Sequence, residues 1–205
     1  MARDPIVIAS IARTPMGSFQ GSLSLLTAPE LGAAAIKASL ERAAIEPDDV
    51  SEVIMGCVLP AGQGQAPARQ AAIKAGIPVS VGATTINKMC GSGMKATMLG
   101  HDLITAGSGD IVVVGGLERM SNTPYLLPKA RQGYRMGHSE VKDHMFMDGL
   151  EDAYEEGQLM GHFAENTAEK YQFSREAQDD FAIRSLQRGK KANEDGSFDA
   201  EMVPV

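Results

Sequence analysis

Short apolar runs alternate with amphipathic segments over the first half of the chain. Clusters of β-branched and other apolar residues predict strands at residues 6–11, 50–59, 84–89 and 111–114. Between them, apolar residues recur at helical spacing and predict helices at residues 28–44, 66–75 and 93–106. This alternation predicts an α/β fold with a mainly parallel sheet flanked by helices. Because the run IVVV at 111–114 has no polar face, we expect it at the centre of that sheet.

The pattern changes after residue 120. Residues 121–159 are rich in Met, Gly, Pro and charged side chains, and they predict a long irregular excursion of the kind that is usually functional or partner-binding. Two helices are expected beyond it, at residues 164–171 and 175–193, the second capped by Ser174. Residues 201–205 begin another apolar run and stop, so we expect the chain to be cut short before its fold is complete.

Composition and charge exclude several classes of function. The 205 residues are 43% hydrophobic, and 19 Lys and Arg against 26 Asp and Glu give a net charge of −7. With no basic run, a nucleic-acid partner is not expected. The apolar part of the amino terminus is too short for a signal sequence or a membrane span, so we expect a cytoplasmic protein that does not enter membranes. Two cysteines without metal-ligand spacing predict free thiols and no metal site.

Cys90 lies in the sequence NKMCGSGMKA, where a predicted strand passes into a predicted helix. A helix amino terminus carries unpaired N–H groups and the positive end of the helix dipole, and both favour a nucleophilic thiolate. Gly91 and Gly93 give access to a substrate, and N–H groups of the turn are placed to stabilise an oxyanion. These features predict acyl transfer through a thioester. Cysteine also fills protein cores, which is our interpretation of Cys57; for Cys90 the residues alone leave both interpretations open.

A nucleophile needs a base, and the histidines do not supply one. His101 lies on the same predicted helix as Cys90, about 16 Å farther along, and is expected to be structural. His138, His144 and His162 lie in or beside the excursion and are expected to face solvent. The chain therefore offers a candidate nucleophile but no base to act with it.

The ordered motifs carry a resemblance that covers the whole chain. The segments are IARTPMGSFQGSL (11–23), VLPAGQGQAPARQAAIKAG (58–76), NKMCGSGMKA (87–96), IVVVGGLERMS (111–121), LMGHFAENTAEKY (159–171) and DGSFDAEMVPV (195–205). In this order they resemble the amino-terminal half of a thiolase of the acetyl-CoA acetyltransferase type. The resemblance implies a thiolase-like α/β fold with a mainly parallel, mixed sheet flanked by helices, plus a loop domain.

The resemblance also implies a domain organisation. Residues 1–120 would form the amino-terminal α/β domain, residues 121–160 the start of a loop domain that covers CoA and contributes oligomer contacts, and residues 161–205 the helices and final strand of the amino-terminal half. The carboxy-terminal thiolase domain would be absent. A homo-oligomer, dimer or tetramer, is implied, with a second chain as a possible source of the missing half.

Each matching position acquires an expected role. Cys90 would be the nucleophile that takes an acyl group from a CoA thioester, with its own N–H in the oxyanion hole. Met160 would line the channel for the pantetheine arm, and Gly115, Gly116 and Glu118 would support the floor of the active site. Acetyl-CoA and CoA would be substrates, with no covalently bound cofactor.

The implied reaction is acetyl-CoA C-acetyltransferase activity, the condensation of two acetyl-CoA to acetoacetyl-CoA and CoA, and its reverse, in fatty acid metabolism. The acid/base cysteine and the histidines of the family lie in the missing half, so this chain needs that half for full activity. Leu159 stands where short-chain biosynthetic members have histidine. Three alternatives stay open: a 3-ketoacyl-CoA thiolase of broader chain length, another condensing enzyme such as a ketoacyl synthase, and a non-catalytic thiolase-like fragment.

Overall fold

A computed structural model describes residues 5–205 of the chain. The predicted domain of residues 1–120 begins at Met1, so its first four residues lie outside the described part. Three strands and three helices alternate first, and two short strands and two helices follow. In chain order the elements are α1 (Ala28–Ala43), β1 (Glu52–Gly56), α2 (Pro67–Lys74), β2 (Gly82–Ile86), α3 (Ser92–Ala106), β3 (Val112–Gly116), β4 (Tyr125–Leu126), β5 (Lys142–Asp143), α4 (Met160–Lys170) and α5 (Arg175–Glu194).

The main sheet has the strand order β2-β1-β3, and both strand pairs are parallel. This confirms the predicted α/β fold with a parallel sheet. The centre is β1, whose Val53, Ile54 and Met55 are all buried. The prediction that residues 111–114 form the central strand is wrong: β3 is an edge, and its valines are only partly buried. A strand with apolar side chains on both faces is expected to be covered by other elements on both sides. This holds for β1, which is buried on both faces, more than for β3, which is only partly buried.

The helices cover the sheet from two sides. On one side α2 packs on β1 and α1 packs on α2, and their buried side chains form one core cluster with Val53, Met55 and Cys57. Close packing is possible because α2 presents fully buried alanines; these are Ala68, Ala71 and Ala72. Successive strand residues point to opposite faces, so Ile54 and Gly56 face the other side, where α3 lies against β1 and β3.

The predicted strand at residues 6–11 does not form. The segment is largely exposed, with Val7 72% and Ile8 76% accessible, and no strand of the described residues pairs with it. The segment is held by hydrogen bonds between a side chain and a backbone carbonyl: the Arg42 guanidinium donates to the Ile11 carbonyl, and the Ser10 hydroxyl donates to the Ser39 carbonyl. An apolar run acquires strand structure only when a neighbouring backbone pairs with it, which its own pattern does not specify.

The predicted excursion and the helices after it are present with shifted bounds. Residues 121–159 contain the antiparallel pair of β4 and β5 and a π-helical segment at Phe146–Leu150. The helix predicted at 164–171 begins four residues earlier, at Met160, whereas the second agrees closely and is capped by Ser174. Residues 201–205 do not form a strand; their one bridge pairs Met202 with Arg13 in parallel. Within residues 5–205, no helix is long and apolar enough to cross a bilayer.

Candidate active site

Cys90 lies in the turn between β2 and α3. The strand ends at Ile86 and the helix begins at Ser92, so the predicted strand 84–89 is shorter at its carboxyl end than its apolar pattern indicated. The Cys90 side chain is exposed to solvent, while the other thiol, Cys57, is buried at the end of β1. The predicted position of Cys90 at a strand-to-helix passage is therefore confirmed, as is the buried position of Cys57.

The residue before the cysteine has an unusual backbone conformation. Met89 has φ +51°, in the left-handed region that non-glycine residues seldom adopt. Its N–H donates to Asn87 Oδ1 at 2.9 Å, and its carbonyl accepts from Ser92 Oγ at 2.6 Å. Ser92 Oγ also accepts from the N–H of Lys88 at 2.9 Å. Two side chains therefore close the turn from either side of the cysteine.

The glycine at the end of β1 lets the turn sit close to the sheet. A Cβ built on Gly56 would lie 2.4 Å from Ser92 Cβ and 3.1 Å from the Ser92 carbonyl carbon. A contact this short leaves no space for any side chain at position 56. The beginning of α3 is thus seated directly on the central strand, and Ser92 is only 5% exposed.

The backbone N–H groups around Cys90 differ in whether they are hydrogen-bonded. Gly91 N–H donates to the Lys88 carbonyl at 3.2 Å and Ser92 N–H to the Met89 carbonyl at 3.0 Å. By contrast, the Cys90 N–H donates to no other group within residues 5–205. An unengaged N–H beside an exposed thiol at a helix start is the donor that an oxyanion of a thioester adduct requires.

Glu118 holds the loop that follows β1. Its carboxylate accepts hydrogen bonds from Val58 N–H at 2.7 Å and Leu59 N–H at 3.1 Å, just after β1. Its Oε1 also lies 3.6 Å from the Cys57 thiol. Burial, followed by the nearby Glu118 charge, raises the pKa of Cys57 from 9.0 to about 11. These contacts are those of a supporting residue, and they make Cys57 a poor nucleophile at neutral pH.

The structure corrects the expectation for one histidine. His144, predicted to face solvent, is 5% exposed, and its Nδ1 lies 2.5 Å from Asp148 Oδ2. Its Nε2 is buried without a hydrogen-bond partner among the described residues. His144 directly follows β5, which pairs with β4, and the π-helical segment that carries Asp148 lies against the loop after β1, where a Cβ on Gly149 would lie 3.2 Å from Leu59. The His144–Asp148 spacing of four residues was the one signal in the sequence for this pair.

The other candidate residues remain apart from Cys90. His101 lies on α3 with its side chain 61% exposed, next to Asp102. Met160 is the first residue of α4 and is 50% exposed. Within residues 5–205, α4 makes no extensive contact with another helix or strand and has no buried residue. The predicted substrate-binding role of Met160 stays a prediction.

A small cavity lies between the start of α1 and the loop that follows β1. Its volume is about 70 Å³, room for ordered water but not for an acyl-CoA arm. Gln63 and Arg119 line it, and Gln63 Oε1 and Arg119 Nε have no partner among the described residues. The sequence pattern did not predict this cavity, because its walls come from four separate parts of the chain.

Comparison with known proteins adds the family context. The family model described as "Thiolase, N-terminal domain" matches residues 6–205. The chain is 56% identical over 200 residues to an acetyl-CoA acetyltransferase of Cupriavidus necator, covering 98% of this chain and 51% of the relative. It is 55% identical to acetyl-CoA acetyltransferase IA of Candida tropicalis (100% and 51% covered) and 54% identical to acetyl-CoA acetyltransferase 2 of Arabidopsis thaliana (98% and 49% covered). The chain spans about half the length of these curated relatives.

Proposed function

Because this chain belongs to the thiolase family, we propose that it supplies the nucleophilic half of an acetyl-CoA C-acetyltransferase. The carrying observation is the exposed Cys90 on a closed turn at the start of α3, inside a chain that matches the family's amino-terminal domain along residues 6–205. Cys57 does not compete for this role, because burial and the Glu118 carboxylate keep its thiol protonated near neutral pH.

In the proposed first step, the Cys90 thiolate attacks the carbonyl carbon of acetyl-CoA. A carbon–sulfur bond to Cys90 forms, the bond to the CoA sulfur breaks, and CoA leaves as a thiolate that takes up a proton. Negative charge develops on the carbonyl oxygen in between, and the unengaged Cys90 N–H is a donor for it. The product of this step is an acetyl thioester on Cys90.

In the proposed second step, a base removes a proton from the methyl carbon of another acetyl-CoA. The resulting carbanion attacks the acetyl group on Cys90, a carbon–carbon bond forms, and the Cys90 thiolate leaves. Two acetyl-CoA thus give acetoacetyl-CoA and CoA, and thiolysis is the reverse. We assign the base to the carboxy-terminal half, because Cys57 is buried and His101 faces solvent on α3.

The proposal extends to organisation and substrate range. Residues 1–120, 121–160 and 161–205 are assigned to the amino-terminal domain, the start of the loop domain and the end of the amino-terminal half, with Met160 at the pantetheine channel. We further propose a homo-oligomer, dimer or tetramer, that acts in the cytoplasm in fatty acid metabolism. Leu159 leaves a 3-ketoacyl-CoA thiolase of broader chain length as the second candidate. Thiolysis rates with acetoacetyl-CoA and with longer 3-ketoacyl-CoA decide between the two.

The test uses a completed protein, in which this chain is joined after Val205 to the carboxy-terminal half of the Cupriavidus necator relative. With isotopically labelled acetyl-CoA, peptide mass spectrometry should find the acetyl label on Cys90. The Cys90→Ala variant should lose the label, and thiolysis of acetoacetyl-CoA should fall by at least about 10⁴-fold, as expected when a nucleophile is removed.

The matched control is Cys57→Ala, which removes the other thiol of the chain and should retain the label. A label that persists in Cys90→Ala would refute the assignment of the nucleophile. If the completed protein binds CoA but neither takes up label nor turns over substrate, the chain is a non-catalytic member of the family, and the proposed activity is wrong.

A further inference from the structure

We propose that Asn87 and Ser92 are positioning residues for Cys90, which act by holding Met89 in its left-handed conformation. The inference rests on the proposed nucleophilic role of Cys90 and names how the chain holds that residue in place. Neither side chain needs to touch the substrate. Their effect passes through the backbone of Met89, which directly precedes the cysteine.

The first observation is that both peptide groups of Met89 are bound by side chains. Asn87 Oδ1 accepts from Met89 N–H at 2.9 Å, and Ser92 Oγ donates to the Met89 carbonyl at 2.6 Å. A left-handed conformation costs a residue with a Cβ roughly 1–2 kcal/mol, so φ +51° at Met89 requires compensation from its surroundings. The two hydrogen bonds to the Met89 backbone supply this compensation.

The second observation is that each side chain is itself anchored. Asn87 Nδ2 lies 3.4 Å from the Val58 carbonyl, and the N–H of Val58 is held by Glu118. Ser92 is buried against Gly56, and its Oγ also accepts from Lys88 N–H. The turn is therefore linked to the ends of β1 and β3, and the rigid sheet fixes where it points.

The consequence for chemistry concerns the Met89–Cys90 peptide. If Met89 returned to negative φ, the peptide plane before Cys90 would rotate, and the Cys90 N–H and sulfur would move together. A displacement of this kind weakens attack and oxyanion stabilisation, which depend on orientation, more than it weakens binding of the CoA arm elsewhere. Loss of Asn87 is therefore expected to lower kcat while KM changes little.

The test is a double-mutant cycle between Asn87→Ala and Met89→Gly in the completed protein, read as the burst rate of CoA release from acetyl-CoA. With Met89 present, Asn87→Ala should slow the burst about fivefold to thirtyfold, the factor that corresponds to the cost of left-handed φ. In the Met89→Gly background the same substitution should slow it by less than about twofold, because glycine adopts positive φ freely. Asn87→Ser, which keeps a weaker acceptor for the N–H two residues on, should give an intermediate rate.

The matched control is Asn193→Ala, which removes an asparagine whose Nδ2 donates within α5 and should leave the burst rate unchanged. Equal slowing by Asn87→Ala in both backgrounds, or no slowing, would overturn the proposal. A variant that no longer folds is recognised by alkylation of Cys57, which is buried in the folded chain. In that case Asn87→Ser decides: an unchanged burst rate overturns the proposal, and a slowing that Met89→Gly reduces supports it.

A second readout separates this proposal from the proposed function. In the 205-residue chain, the one-bond Cα–Hα coupling of Met89 reports the sign of φ by nuclear magnetic resonance. It should indicate positive φ in the unmodified chain and lose that signature in Asn87→Ala. If the burst is absent in every variant but the coupling changes as expected, the acyl-transfer proposal fails and the positioning role stands. If Met89 keeps positive φ in Asn87→Ala, the positioning role fails.

Discussion

At the scale of single residues, the two cysteines differ in reactivity because their surroundings differ. Cys57 is 2% exposed and packed in the core, whereas Cys90 is exposed on its turn. Burial and the Glu118 carboxylate both disfavour the Cys57 thiolate, which raises its pKa to about 11. The chain therefore carries one accessible thiol and one that is protected by its surroundings.

The raised pKa of Cys57 makes stability depend on pH in alkali. The folded chain holds this proton more tightly than the unfolded chain, so the stabilisation is complete below pH 9 and is lost as pH rises through about 11. A shift from 9.0 to about 11 corresponds to about 3 kcal/mol. Between pH 9 and 11, the free energy of unfolding from urea titrations should fall more steeply in the unmodified chain than in Cys57→Ala. Cys90→Ala should keep the steep fall, and identical slopes for all three chains would contradict the prediction.

Residue patterns predicted that Cys57 is buried and that Cys90 lies at the start of a helix, but the exposure of Cys90 and the groups that act through distant contacts came only from the structure. The Cys57 and Cys90 environments follow from their immediate neighbours, a strand run in one case and a glycine-flanked helix start in the other. His144 is buried directly after β5, whose pairing with β4 no local pattern specifies. The sequence also did not predict the positive φ of Met89. Methionine has no preference for positive φ, and the side chains that hold Met89 come together only in the folded turn.

At the scale of elements, local sequence signals predicted the positions of the helices better than those of the strands. Thr27 and Glu30 form a capping box at the start of α1, and Ser174 caps α5, so both helices begin where the sequence indicates. Strand identity depends on pairing over long separations. Residues 6–11 and 111–114 have comparable apolar character, yet within residues 5–205 the first pairs with no strand and the second lies in an edge strand.

Two helical glycines should respond to alanine with opposite signs. A Cβ on Gly100 in α3 would lie 2.7 Å from Val114 Cγ1 on β3, whereas a Cβ on Gly189 in α5 would have no atom of the described residues outside its own helix turn within 4 Å. Crowding at Gly100 should outweigh the gain in helix propensity, so Gly100→Ala should lower the free energy of unfolding by about 1 kcal/mol. Gly189→Ala meets no neighbour and should raise it by about 0.5–1 kcal/mol.

Chemical denaturation of the two variants beside the unmodified chain gives both values. Because Gly100 seats the helix that begins beside Cys90, Gly100→Ala should also slow acetyl transfer in the completed protein, while Gly189→Ala should not. Equal stabilisation by both alanines would mean that α3 is not held against β3 by the close approach at Gly100.

At the scale of the whole molecule, the packing is uneven. The helices α1, α2 and α3 enclose the sheet, whereas α4 and α5 have no buried residue within the part of the chain that the structure describes. Apolar side chains on α5 are open to solvent, with Phe181 64% and Leu186 74% exposed. A chain that spans about half of its relatives could be assigned to its family from ordered motifs, but the packing partners of these helices are not specified by those motifs.

The two ends of the described chain meet at one arginine of α1. Arg42 Nη1 donates to the carbonyls of Ile11 at 2.9 Å and Glu201 at 3.0 Å, and Nη2 donates to the Met202 carbonyl at 2.8 Å. A planar guanidinium reaches three acceptors at once, which a lysine ammonium on a flexible stem does not reproduce. Beside it, Arg13 pairs with Glu201 through its side chain at 2.7 Å and through its N–H at 2.8 Å. Arg42 therefore ties the backbone of residues 11 and 201–202 to α1.

Replacing Arg42 should free this junction without unfolding the sheet. Hydrogen bonds that involve a charged donor contribute about 1.5–3 kcal/mol each when sheltered and less when exposed, so the loss at this exposed site should be about 1.4 kcal/mol, a factor of about ten in local opening. In Arg42→Ala, amide exchange at Arg13 and Val203, whose N–H groups close the bridge between the two ends, should accelerate about tenfold. Exchange at Val53 in β1 should stay unchanged.

Arg42→Lys should recover only part of the protection, and Arg184→Ala, which removes an arginine stacked on Phe181 within α5, should have no effect at the junction. Uniform acceleration across the sheet would show instead that Arg42 supports the whole core; no acceleration would show that the bridge between Arg13 and Met202 holds the two ends without it.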